Sequence, residues 1–216
     1  LIELSPSLTG VREQLAELYL REEKTEDATK QLEAILRSRP TNERALFVLG
    51  GIKRDLDKLD EAAAHFETVL KINPKFEPAY YELASVHLFQ DNPKKTIETL
   101  DKASKQFEAK FISKFYAGLA HSSLHQFNSA IENLLEAEVL AQAGEQNRLT
   151  HFFYFQLGAA YERNRQYDTA AKIFNKAIEM SPEYHNAMNY LGYMWADINR
   201  NLDEATTLII ATSAKS

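Results

Sequence analysis

Short amphipathic stretches alternate along the chain with compact polar breaks, and the breaks recur on a fixed period. Pro6, Pro40 and Pro74 stand 34 residues apart (40 − 6 and 74 − 40), each close to an apolar stretch such as Ile35-Leu36 or Val69-Leu70. Proline cannot continue a helix, so each of these predicts a stop followed by a turn. Leu15, Leu49, Leu83, Ala117, Leu157 and Leu191 hold one place in the period. Each is followed by a small residue: Ala16, Gly50, Ala84, Gly118, Gly158 and Gly192. A second small place holds Ala28, Ala62, Thr96, Ala130, Ala170 and Ala205, with gaps of 34, 34, 34, 40 and 35 residues. Leu32, Phe66, Leu100, Leu134 and Phe174 come four residues after their small partners, on the same helical face. Antiparallel helices approach closely only where one of them lacks bulk at the crossing. The pattern therefore predicts an all-α chain of helical hairpins.

The pattern is clearest in Tyr154, Leu157, Gly158, Tyr161, Ala170, Phe174, Ala177 and Pro182. It resembles the tetratricopeptide repeat, in a form similar to bacterial members, and the resemblance covers nearly the whole chain. It implies an α-solenoid of helix-turn-helix repeats wound into a right-handed superhelix with a concave inner surface. HEAT and armadillo arrays have longer repeats without this proline register.

Laid end to end, the repeats are 9–42, 43–76, 77–110, 111–150, 151–184 and 185–216. Residues 1–8 read as the tail of a preceding repeat, so the sequence reads as one repeat domain, 1–216, cut from a longer chain. The repeat 111–150 carries six extra residues. No breaker interrupts Ile131 to Ala143, which predicts a longer helix stopped by Gly144 and Asn147. Glu108 stands where proline is expected, predicting a less sharply turned junction. The last repeat, with Tyr190-Leu191-Gly192-Tyr193 and Trp195, is similar to the closing repeats of exported or lipid-anchored bacterial members. That likeness points to an exported, periplasmic setting, with a cytoplasmic one left open. Leu208-Ile209-Ile210 reads as an uncovered end, which solenoids normally cap with polar residues.

In this family one place on the first helix of each repeat looks into the groove. Here it holds Glu13, Phe47, Tyr81, Phe115, Phe155 and Asn189. Further along the same face come Leu88, Phe89, Leu119 and Tyr193. Aromatic rings supply large contact area at low entropic cost, so Phe47, Tyr81, Phe89, Phe115, Leu119, Phe155 and Tyr193 form the candidate partner-binding set. The alternative for these rings is packing on one another within the array. Chaperone-binding members clamp a terminal carboxylate with Lys and Asn at matching inner places. This chain has Phe47 and Gly51, Tyr81 and Ser85, and Phe115 and Leu119 there, so an apolar ligand is expected instead.

Composition narrows the chemistry. The chain has 216 residues, net charge −6 and no cysteine, which excludes disulfides, thiolate metal sites and a cysteine nucleophile. Its basic residues are scattered, so no stripe for nucleic acid is predicted. No apolar run approaches the about 20 residues of a membrane span. His121 and His125 stand four apart, a spacing metals use, but no third ligand follows. Neither a metal, a cofactor nor a catalytic constellation is predicted. The expected function is a scaffold holding a peptide or helical segment of a protein partner in the groove. The alternatives are self-assembly through exposed terminal helices and service as the regulatory arm of a larger enzyme.

Overall fold

A computed structural model describes residues 6–213. Among these residues it contains twelve α-helices and no strand. They are α1 (Pro6–Arg21), α2 (Thr25–Ser38), α3 (Glu43–Asp55), α4 (Leu59–Ile72), α5 (Glu77–Phe89) and α6 (Pro93–Ser104), then α7 (Phe111–Ser123), α8 (Phe127–Gly144), α9 (His151–Arg163), α10 (Tyr167–Met180), α11 (His185–Asp197) and α12 (Leu202–Ser213). A single 3-10 turn, Gln146–Arg148, follows α8. Odd-numbered helices are the first helices of the predicted repeats and even-numbered ones the second.

The small places are the crossing points of the hairpins. Ala28, Ala62, Thr96, Ala130 and Ala170 are fully buried. A methyl group added at Gly50 would lie 2.7 Å from the Phe66 ring, and one at Gly158 would lie 2.7 Å from Phe174. At Gly118 it would lie 2.7 Å from Leu134. The bulky residue four places after each small one therefore fills the space the facing glycine leaves. This is the packing the period predicts.

Each turn inside a hairpin closes in the same way. Glu23, Asp57, Asp91, His125, Arg165 and Asn199 all have φ between 51° and 60°, the left-handed region. The next amide donates back across the helix end, as Lys58 N does to Lys53 O at 2.8 Å and Gln166 N to Tyr161 O at 2.9 Å. This is the Schellman closure, built here without glycine. In the last hairpin Asn201 is also left-handed, at φ 45°, and it accounts for the gap of 35. Turns between hairpins carry Pro40, Pro74 and Pro182, as predicted. Pro6 instead opens α1; its predicted role after a preceding helix concerns residues outside those described.

The chain divides into two compact units, 1–108 and 109–216. The division falls at the junction where Glu108 replaces proline. There α6 stops at Ser104 and residues 105–110 form a six-residue link, against four residues at 73–76. Within each unit three hairpins stack, the second helix of one packing on the first helix of the next. In the second unit one continuous core joins Phe111, Leu134, Phe153, Leu157, Phe174 and Leu191. The first unit has three smaller clusters, around Leu32 and Leu49, Phe66 and Leu83, and Leu46 and Val69. Helix α8 runs 18 residues against 14 for α4, the extra turn expected from Ile131 to Ala143.

Two expectations are corrected. Helix α7 ends at Ser123, so His125 lies in the left-handed turn and does not share a helix face with His121. The His121 Nδ1 is 2.6 Å from Gln126 Oε1. Ile209 is not an uncovered end residue. It is the crossing partner of Gly192, where an added methyl would lie 3.0 Å from its Cγ1, and of Leu208, Ile209 and Ile210 only Ile210 is exposed.

Candidate functional site

In the first unit the face shared by α1, α3 and α5 is laced by polar pairs. Arg44 on α3 pairs with Glu17 on α1, and Arg54 on α3 pairs with Glu82 on α5. Asn42 Nδ2 donates to Glu13 Oε1 at 3.1 Å, so Glu13 is engaged within the unit. Phe47 is half-buried, its ring 5.6 Å from Phe66 and 5.1 Å from Phe76. It borders a cleft of ≈ 250 Å³ with Leu20, Val48, Gly51, Arg54 and Glu82. A methyl group on Gly51 would meet nothing within 4 Å, so that cleft is open where a side chain is missing. Tyr81 is half-buried and its hydroxyl donates to Glu77 Oε1 at 2.7 Å. Burial first, then that bond to a carboxylate, pushes the phenol well above its ordinary range. Phe89, at the end of α5, is 69% exposed.

The second unit presents a different surface on α7, α9 and α11. Phe115 is half-buried and stacked on Phe111 at 5.4 Å, with Phe153 at 5.9 Å and Phe152 at 6.3 Å. Leu119 is half-buried one turn further on, and Tyr193 is 56% exposed. Phe155 departs from its expected role. It is 9% exposed, with Tyr190 5.0 Å, Tyr184 5.5 Å and Phe174 6.0 Å from its ring, so the chain's own side chains cover it. The rings that reach solvent beside it are Phe152 and Tyr190, which the single-place reading of each helix missed. A signal was present: Phe152, Phe153, Tyr154 and Phe155 are consecutive. At about 100° per residue a helix cannot bury four neighbouring rings on one side.

Glu162 lies further along the same face of α9. It is half-buried, and burial raises its carboxyl above the ordinary range; Arg163 opposes that shift and Asp197 adds to it. Two further histidines have local partners or packing, while His185 Nδ1 is buried without a hydrogen-bond partner among the described residues. His87 is buried with Nδ1 3.1 Å from Gln90 Oε1, and the His151 ring is 4.6 Å from Tyr184. Among the described residues no group of three or more His, Asp or Glu could hold a metal ion, and no helix is long and apolar enough to cross a membrane.

The opposite, second-helix side of the first unit carries two clefts. One, of ≈ 390 Å³, has Leu70, Tyr80 and Leu83 at its base and Glu67, Lys71 and Lys102 among its walls. The other, of ≈ 400 Å³, is lined by Leu36, Leu49 and His65 with Glu33, Arg37 and Lys53. At the matching place in the second unit Lys176 sits 3.8 Å over the Tyr154 ring, and Glu138 accepts from Tyr154 Oη at 3.0 Å. What these surfaces offer is apolar contact, ring faces and a few charges.

Comparison with known proteins agrees with this architecture. Three tetratricopeptide repeat family models match residues 14–76, 54–109 and 151–184. The human tetratricopeptide repeat protein 6 is 26% identical over 166 residues, which cover 76% of this chain and 30% of that protein. The chain thus spans about a third of the curated relative it matches. Among solved structures, PilW, a widely conserved type IV pilus biogenesis factor, superposes with a TM-score of 0.80 at 20% identity, covering 98% of this chain and 94% of its own. YrrB, a tetratricopeptide repeat protein with an unusual peptide-binding site, gives a TM-score of 0.65 at 17% identity, covering 82% and 91%. At these identities the structural likeness speaks for the fold.

Proposed function

This chain belongs to the tetratricopeptide repeat family, and from that premise we propose that it is a protein-interaction scaffold whose first-helix faces hold a segment of a partner polypeptide. The observation that carries the reading is the row of solvent-reaching rings on α9 and α11. Phe152, Tyr190 and Tyr193 are exposed on one face although the fold has a continuous apolar core beneath them. Large rings left in water on adjacent helices mark recognition surfaces more often than packing. The peptide-binding site named for YrrB, on a similar fold, supports the same reading. Binding rather than catalysis is the role that ring faces and isolated charges suit. In the first unit Phe47, Tyr81 and Phe89 would contribute a shallower contact, with Phe89 the most accessible. Phe115 and Leu119 would line the approach in the second.

The test is site-specific photo-crosslinking in native cells, with a photoreactive residue at Tyr193 or at Glu61, an exposed position on α4. The expected result is a discrete protein adduct from Tyr193 and none from Glu61, lost when Phe152 is changed to Ala. An adduct of equal yield from both positions, unaltered by Phe152→Ala, would refute the assignment.

Self-assembly is a second reading, favoured by one observation: Leu202 and Ile210 on α12 are 50% and 61% exposed. Ile210→Lys probes it, because Ile209 serves the hairpin crossing. A concentration-dependent oligomer in sedimentation that this change abolishes would support it, and an unchanged sedimentation profile would count against it.

A further inference from the structure

The period of the chain allows each surface position of one unit to be compared with its counterpart in the other. In the first unit, Arg54 is the twelfth residue of its repeat and pairs with Glu82, the sixth residue of the next. The twelfth residue of repeat 151–184 is Glu162, and the sixth of the repeat after it is Tyr190. Likewise Glu17 and Arg44, which pair between α1 and α3, correspond to Ala159 and Asn186. Where the first unit sets cation against carboxylate between consecutive first helices, the second has a carboxylate at one of these places and a tyrosine at the other.

Among the described residues no ion pair or side-chain hydrogen bond engages the Glu162 carboxylate; Arg163, its neighbour in sequence, and Asp197 on α11 act on it with opposite signs. The balance of these three charges is negative. Tyr193 and Asp197 fall on the same side of α11 as Tyr190, three and seven residues on. A half-buried carboxylate without its cation is an unfavourable arrangement that a bound cation relieves. Ring faces attract that same cation, with preference for one that is partly desolvated.

We propose that the face shared by α9 and α11 takes a Lys or Arg side chain of a partner polypeptide, with Glu162 as its counter-ion and Tyr190 and Tyr193 as flanking rings. This rests on the reading of that face as a peptide-binding surface and adds the chemistry of the segment it selects. In the first unit the same two places hold the chain's own charge pair, Arg54 and Glu82, with the carboxylate at the place of Tyr190 and the cation at that of Glu162. An apolar residue about four places from the basic one in an extended bound segment would reach Phe152, ten residues and about 15 Å up α9.

The probe is a fluorescent positional-scanning library of short peptides with Lys/Arg, Glu or norleucine fixed at the central position. It is titrated against the whole chain and against Glu162→Gln, Glu162→Lys and Tyr193→Ala, each verified for wild-type helical content. Basic pools are expected to bind about tenfold tighter than acidic ones. Glu162→Gln should remove that preference and Glu162→Lys should reverse it. Absence of a charge preference in the wild type, or a preference that survives Glu162→Gln, overturns the cation assignment. If binding then still weakens in Tyr193→Ala, the peptide-binding surface stands without it. If no pool binds, or Tyr193→Ala binds as wild type does, both readings fail. A dimer seen in sedimentation and dissolved by Glu162→Lys would place a second copy on the face and overturn the assignment to a foreign partner.

Discussion

At the hairpin crossings of the first unit the small place holds Ala16, Gly50 and Ala84; in the second unit it holds Gly118, Gly158 and Gly192. The facing residues are Leu32, Phe66 and Leu100 in one, and Leu134, Phe174 and Ile209 in the other. Glycine throughout the second unit lets each facing side chain sit against bare backbone, and its core is one continuous cluster where the first unit has three. The surfaces diverge in the opposite sense. The first unit ties its first helices with Arg44–Glu17 and Arg54–Glu82 and leaves clefts beside its second helices. The second unit fills the matching outer place with Lys176, Tyr154 and Glu138 and leaves three rings, Phe152, Tyr190 and Tyr193, exposed on its first helices, where the first unit exposes Phe89. One hairpin plan thus fixes the crossings and little else. The faces are free to specialise.

The largest test of that contrast is at the crossing. Gly158→Ala drives a methyl into Phe174, which is fully buried and cannot swing away. It is expected to lower the unfolding free energy by about 1–3 kcal/mol, read from urea denaturation. Gly51→Ala, on the open cleft of the first unit, should instead raise it by up to about 1 kcal/mol through helix propensity. Equal effects at the two glycines would dissolve the distinction between crossing and surface.

Next in size is the turn. Arg165→Gly removes the steric cost of a side chain at φ 60° and should raise the melting temperature, by about 0.5–1 kcal/mol in stability. The greater freedom of glycine in the unfolded chain offsets part of the gain.

On the outer face, Lys176→Ala should cost about 0.5–1 kcal/mol by removing the charge above Tyr154. Lys102→Ala, at the matching place of the first unit, should be silent in the same denaturation assay. A cost of the same size at Lys102 would show that the two outer faces do not differ.

The smallest effect is titratable. The Glu162 carboxyl is raised by folding, so the native state binds its proton more tightly than the unfolded state does. Its favourable contribution is complete below the ordinary carboxylate range and is lost as pH rises through the raised value. Glu162→Gln should therefore stabilise the chain near neutral pH, and the gain should vanish on acidification below that range. A pH-independent difference between the two proteins would remove the argument that burial perturbs this group.

Much of the fold was legible because the crossing demands residue types, not sequences. Ala28, Gly50 and Phe66 announce a close approach by size alone, and their spacing repeats. The longer α8 followed from an unbroken apolar run. The site was less legible for a geometric reason. Neighbouring places on a helix lie about 100° apart, so a shift of one residue exchanges buried for exposed. Phe155 and Tyr190 made that exchange: the ring at the expected place is covered, and the ring at the next place does the covering. The fate of His125 was hidden for another reason. Left-handed backbone is announced by glycine, and this chain closes its turns with Glu, Asp, His, Arg and Asn.

Those six turn residues are all exposed, and each is held by backbone bonds that do not consult its side chain. They behave as a ledge on which charge can be rewritten while the scaffold stays as it is. In the first half the ledge reads Glu23, Asp57 and Asp91, all anionic; in the second it reads His125, Arg165 and Asn199, none anionic. Dissolved electrolyte will therefore weaken like-sign repulsion along the first ledge and find little to weaken along the second, giving the halves different responses to ionic strength.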